Sequence, residues 1–139
     1  MTKSLKITLT IISGILIIVV LLSALPKSPE SSKYHVDSIN GNDNNDGQSP
    51  ATAWESFGKV NSVVFKPGNS ILFKANCSWT GQIVPQGSGN NEKQIVLEIY
   101  GYNSFPGNVQ NKPHFEGNGV YTTVFLKDVE YWIHNIPLL

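Results

Sequence analysis

The chain has 139 residues, ten lysines and no arginine, ten acidic residues, one cysteine and a formal charge of zero. That length holds one small domain at most. Without a basic excess nucleic acid is not an expected partner, and a single Cys excludes an internal disulfide framework and any multi-Cys zinc site.

The amino terminus carries Lys3 and Lys6, followed by Ile7–Leu25, in which 14 of 19 residues are apolar and none is charged. As a helix this run would reach about 28 Å, near the thickness of a bilayer core. Residues 1–25 therefore read as a signal peptide or a signal anchor. Length favours an anchor that crosses the membrane through residues 7–25, while position at the start of the chain favours a cleaved signal. The lysines ahead of the run hold the amino terminus inside, so the remainder is expected to be extracellular or at the cell surface. Residues 26–33 are polar and rich in breakers, and read as a linker.

From residue 34 to residue 139 there are 14 Asn and 11 Gly, a composition that favours short strands ended by turns over long helices. Tyr34-His35-Val36 alternates like a strand, and residues 40–47 read as an Asn-rich loop. One helix is expected over about residues 52–63: Thr52 and Glu55 have capping-box spacing, and Trp54, Phe57 and Val60 share an apolar face. Short β segments follow at residues 70–73, 82–84, 94–100, 114–116, 123–126 and 131–136. Their connections are too short for βαβ crossovers. From Ile71 to Ile95 is 24 residues, to Phe115 a further 20, and to Ile133 a further 18. A recurrence near 20 suggests a β-solenoid capped by the helix, with a small sandwich as the alternative.

The words Tyr34-His35-Val36-Asp37, Gly41-Asn42-Asp43 through Asp46-Gly47 to Ser49-Pro50-Ala51-Thr52-Ala53-Trp54, Phe65-Lys66-Pro67-Gly68, Ser70-Ile71-Leu72-Phe73-Lys74, Trp79-x-Gly81 and Ile99-Tyr100-Gly101 resemble the start of secreted right-handed parallel β-helix proteins of the pectate-lyase-like superfamily. The resemblance implies an all-β fold over residues 34–139, consisting of an N-terminal cap and first coils. It departs from the pattern at Asn69 and at Asn76-Cys77-Ser78. The chain also stops inside an apolar segment, so it reads as the N-terminal part of a longer protein. What the resemblance implies first is a polysaccharide lyase acting by β-elimination on a uronic-acid polymer, with Ca²⁺ held by Asp or Glu in the full-length parent. The alternatives are a non-catalytic carbohydrate-binding or adhesion β-helix at the cell surface, and a glycoside hydrolase on the same scaffold. In each case the chemistry belongs to coils beyond Leu139, and no catalytic or cofactor-binding residue is assigned to this chain.

Few residues are left as site candidates. The loop at residues 42–47 is rich in oxygen ligands, but as an EF-hand its twelfth position would be Ala53, where a Glu is needed. Asp43 and Asp46 remain as metal candidates, with Asx turns as the alternative. His35, His114 and His134 lack metal-ligand spacing. Cys77 has no identifiable partner and reads as an inert thiol. Trp54 and Tyr100 are expected in the core, whereas Trp79 and Tyr102 lie at turn edges and are the candidates for carbohydrate contact. Glu98, Glu116 and Glu130 read as a solvated face.

Overall fold

The computed structural model describes residues 31–101 and 112–136. Six strands and two short helical segments follow one another: β1 (Lys33–Val36), a 3-10 turn (Pro50–Thr52), α1 (Phe57–Asn61), β2 (Ser70–Lys74), β3 (Ser78–Thr80), β4 (Ile95–Tyr100), β5 (His114–Glu116) and β6 (Trp132–His134). All pairings are parallel. β1, β2, β4 and β6 make a four-stranded sheet in that order, and β3 pairs with β5 in a second sheet.

Alternation decides which faces meet. Ile71 and Phe73 point inward from β2 and stand in register with Leu97 and Ile99 of β4, while Ser70, Leu72 and Lys74 share the other face with Val96, Glu98 and Tyr100. The buried set joins these residues to Val36, Trp54, Phe57, Val60, Phe65, Cys77, Trp79, Ile83, Ile95 and Ile136. Phe73 lies at its centre, with ring centroids 6.0 Å from Phe57, 5.2 Å from Trp79 and 4.9 Å from Phe115. One aromatic cluster thereby links the larger sheet, the smaller sheet and α1. Backbone packs closely as well: a Cβ at Gly87, whose φ is 91°, would stand 2.1 Å from the Phe65 carbonyl oxygen.

Two expectations are corrected here. The helix expected over residues 52–63 is replaced by the 3-10 turn and the five-residue α1. The capping box joins Ser49 to Thr52 rather than Thr52 to Glu55. Asp43 Oδ1 accepts from the Glu55 and Ser56 N–H groups at 2.8 and 3.0 Å, which holds residues 55 and 56 in an extended path. Ser56 then caps α1, its Oγ accepting from Lys59 N–H at 3.1 Å. The second correction concerns the incomplete right-handed parallel β-helix, which gives way to two small parallel sheets with short helical segments. The expected row Ile71–Ile95–Phe115–Ile133 does not form. Ile71 pairs with Leu97, Ile133 with Val96, and Phe115 with Trp79 in the other sheet. A similar spacing along the chain thus conceals different registers and different sheets. Among the described residues no helix is long and apolar enough to cross a membrane, and the run at residues 7–25 lies outside them.

Two polar side chains tie these elements together. Asn61, the last residue of α1, donates through Nδ2 to Gln82 O at 3.0 Å and accepts from Val84 N–H at 2.7 Å. Asp37, just past β1 and almost wholly buried, accepts on Oδ1 from the Ile39 and Asn40 N–H groups at 3.0 and 3.1 Å and from the Cys77 thiol at 3.4 Å. Its Oδ2 meets Lys74 Nζ, at the end of β2, at 2.5 Å. Burial by itself raises the Asp37 pKa, but the Lys74 ammonium and the two N–H donors outweigh it and hold the carboxyl at about 2.

Replacing Asn61 with Ala leaves Val84 N–H and Gln82 C=O without their partner, and is expected to cost about 2–3 kcal/mol in urea unfolding. A loss below about 0.5 kcal/mol would contradict this role. Because the folded Asp37 pKa lies below the unfolded value of 3.8, its contribution is complete above about pH 5 and is lost as pH falls toward about 2. That contribution is worth about 2 kcal/mol. Unfolding measured at steps between pH 5 and 2 should therefore show a smaller acid loss in Lys74→Met than in the native chain. Identical acid profiles for the two would exclude the ion pair as the cause.

Candidate functional site

The ends of three neighbouring parallel strands bring polar side chains to one edge of the larger sheet. Asp37 follows β1, Lys74 closes β2 and Tyr100 closes β4, with Lys74 and Tyr100 in register. His35 adds its ring perpendicular to that of Tyr100, with centroids 5.0 Å apart. His35 Nδ1 lies 3.2 Å from Gly47 O, which fixes the imidazole against the Asn-rich loop. The Tyr100 hydroxyl is buried without a hydrogen-bond partner. Burial, reinforced by the negative charge of Asp37, pushes its pKa well above the ordinary phenol value, so it remains a protonated donor.

Proton chemistry at this cluster is restricted. A general acid in glycoside hydrolysis needs a carboxyl with a raised pKa, and its partner carboxylate must face the same bond. Asp37 is displaced the other way and is held as a carboxylate by Lys74 and the Ile39 and Asn40 N–H groups, so it has no proton to deliver near neutral pH. Lys74 is held charged by the hydrogen bond to Asp37. Burial pushes the Cys77 thiol up and keeps it protonated. His134 is partly buried with no partner on Nε2, and burial holds its pKa below the usual imidazole range.

The candidates from the sequence are dispersed. Asp43 works as a brace: Oδ1 accepts from Glu55 and Ser56 N–H, Oδ2 accepts from the Ser56 hydroxyl at 2.5 Å, and these bonds outweigh burial to lower its pKa. Asp46 is lowered by the Thr52 hydroxyl and by Gln48 N–H, which donates to Oδ1 at 3.0 Å. Asp43 has no oxygen left unengaged, and among the described residues no group of three or more His, Cys, Asp or Glu converges to hold a metal ion. These residues do not fit a Ca²⁺ site.

Trp79 is 5% exposed, stacks on Phe57 and donates its indole N–H to Glu55 O at 2.8 Å. It belongs to the core rather than to a surface platform, because inward alternation in β3 carries it to Phe73. Tyr102 lies outside the described residues. Trp54, expected in the core, is there, stacked on Tyr34 at 4.8 Å with its N–H on Asn45 O. Asp37 was visible in the sequence only as an acid at a strand end. Its significance depends on Lys74 and Cys77, which lie 37 and 40 residues further along.

No protein-family model matches the chain. It is 29% identical over 124 residues to a lacto-N-biosidase of Bifidobacterium longum subsp. longum, a match that takes in 70% of this chain and 7% of that protein. Two crystal structures of a GH136 lacto-N-biosidase from Eubacterium ramulus also resemble it. The native protein aligns with a TM-score of 0.58 at 23% identity and the selenomethionine derivative with 0.59 at 26%, covering 76% and 77% of this chain. The chain spans 20% of each solved relative. These matches overturn the pectate-lyase-like resemblance. The relatives are glycoside hydrolases, not pectate lyases, and the expectation of a uronic-acid polymer as partner falls with the lyase. What this chain resembles, in sequence and in fold, is a portion of a glycoside hydrolase.

Proposed function

We propose that the chain acts on carbohydrate as part of a glycoside hydrolase of the lacto-N-biosidase kind, and that it contributes a parallel-sheet unit that engages the glycan. The observation that carries this reading is the agreement of the sequence match and the structural match on one activity, each over at least 70% of the chain. Three of the carboxylates are unsuited to serve as the acid of a cleaving pair. Asp37, Asp43 and Asp46 are all shifted downward and spent on internal hydrogen bonds, whereas a cleaving pair needs one proton held at neutral pH. On this reading the substrate is met outside the cytoplasm, and the apolar run at residues 7–25 takes the chain there.

The test is a titration of the full chain, kept in detergent, with a methyl lacto-N-bioside and separately with trigalacturonate, followed by NMR. Binding of the neutral glycoside with no response to the uronide is expected. Preference for the uronide, or no response to either sugar, would sink the reading.

A further inference from the structure

Beyond the strand-end cluster, one face of the molecule combines an exposed aromatic ring with neutral hydrogen-bonding groups. A shallow open depression of about 420 Å³ is lined by Gln82, Gly119, Val120, Tyr121, Thr122 and Phe125. Tyr121 is fully exposed, and Val120 and Phe125 are each 41% exposed, so apolar surface is concentrated where a chain of this composition would normally place polar groups. None of the six lining residues carries a charge.

The walls are held in place by backbone bonds. Val120 N–H donates to Gly117 O at 3.1 Å, closing a turn in which Asn118 and Gly119 both have positive φ. The segment after the turn is fastened to its neighbour: Ile83 N–H donates to Thr123 O and Phe125 N–H to Ile83 O, each at 2.8 Å. Gln82 Nε2 donates to Thr122 O at 2.6 Å, which leaves its carboxamide oxygen as an acceptor for a ligand. The backbone around the depression is therefore fixed, whereas the fully exposed Tyr121 ring is ordered only when it is covered.

We infer that this depression is a subsite for a neutral pyranose ring, with the apolar face of the sugar against Tyr121 and a sugar hydroxyl on Gln82. An exposed aromatic face beside a fixed amide suits a ligand that is flat and apolar on one side and ringed by hydroxyls. The uncharged lining gives no counter-ion for a uronate. The inference rests on the carbohydrate reading above and places the contact at a specific surface.

The same NMR titration with methyl lacto-N-bioside, run on the native chain, Tyr121→Ala and Tyr121→Phe, tests it. Because Tyr121 is wholly solvent-exposed, both variants should keep the native circular-dichroism spectrum. Tyr121→Ala is expected to weaken binding at least about fivefold, Tyr121→Phe to stay within about twofold, and resonances of Gln82 and Thr122 to shift in the native chain. If the native chain binds the glycoside and Tyr121→Ala binds it equally well, this subsite is wrong and the glycan is held elsewhere. If the native chain fails to bind, the carbohydrate reading itself falls, and the subsite with it.

Discussion

The fold depends on the burial of Phe73. This one ring, fully excluded from solvent, touches Phe57 of α1, Trp79 of β3 and Phe115 of β5, and so brings both sheets and the helix against a single apolar centre. Parallel strands cannot be closed by tight hairpins. Each pairing must wait until the chain has travelled tens of residues and returned. In a molecule this small, such long returns bury enough surface only if the side chains at the meeting point are large. Four aromatic rings stacked or set edge-to-face supply that area and also fix orientation, because ring quadrupoles favour those geometries. The strand ends are then aligned by polar contacts, with Asp37 and Lys74 joining β1 to β2.

What the sequence revealed was mostly local. The Asn-rich loop, the positions of most strands and the buried place of Trp54 follow from alternation, turn residues and size. Pairing was hidden. Ile71, Ile95, Phe115 and Ile133 are similar residues at similar intervals, yet register is set by which N–H meets which carbonyl, and a shift of two residues preserves the same alternation. The helix over residues 52–63 failed for a related reason. Trp54, Phe57 and Val60 do share the core, but Trp54 reaches it from an extended segment that bridges to Val36, with the Asp43 carboxylate holding the following two N–H groups. A side chain twelve residues away took the donors that a longer helix would have used.

The site was less legible than the fold. Acidic residues in an Asn- and Gly-rich loop can serve a cation or the backbone, and only the geometry shows that Asp43 and Asp46 serve the backbone. Trp79 at the edge of a turn looked like a surface ring, although the alternation of β3 sends it inward. Tyr121 and Gln82 gave no signal because they are 39 residues apart and are brought to one surface by the parallel bridge of Ile83 to Val124 and the Gln82 bond to Thr122 O. The resemblance to pectate-lyase-like proteins rested on short words whose content is turns and caps. Such words report how a parallel strand begins, and are silent on the bond that a protein cleaves.

The two sides of the larger sheet also differ. Along β1 the segment from Gly47 to Trp54 occupies the backbone: His35 N–H donates to Gly47 O, Trp54 N–H to His35 O and Asp37 N–H to Trp54 O. Along β6 the pairing among the described residues is with β4 alone. The sheet therefore has a direction of growth, in which a further strand can be accepted beside Trp132–His134 and is refused beside Lys33–Val36. Closing one margin in this way removes one row of this sheet's backbone N–H and C=O groups as a template for pairing with another chain.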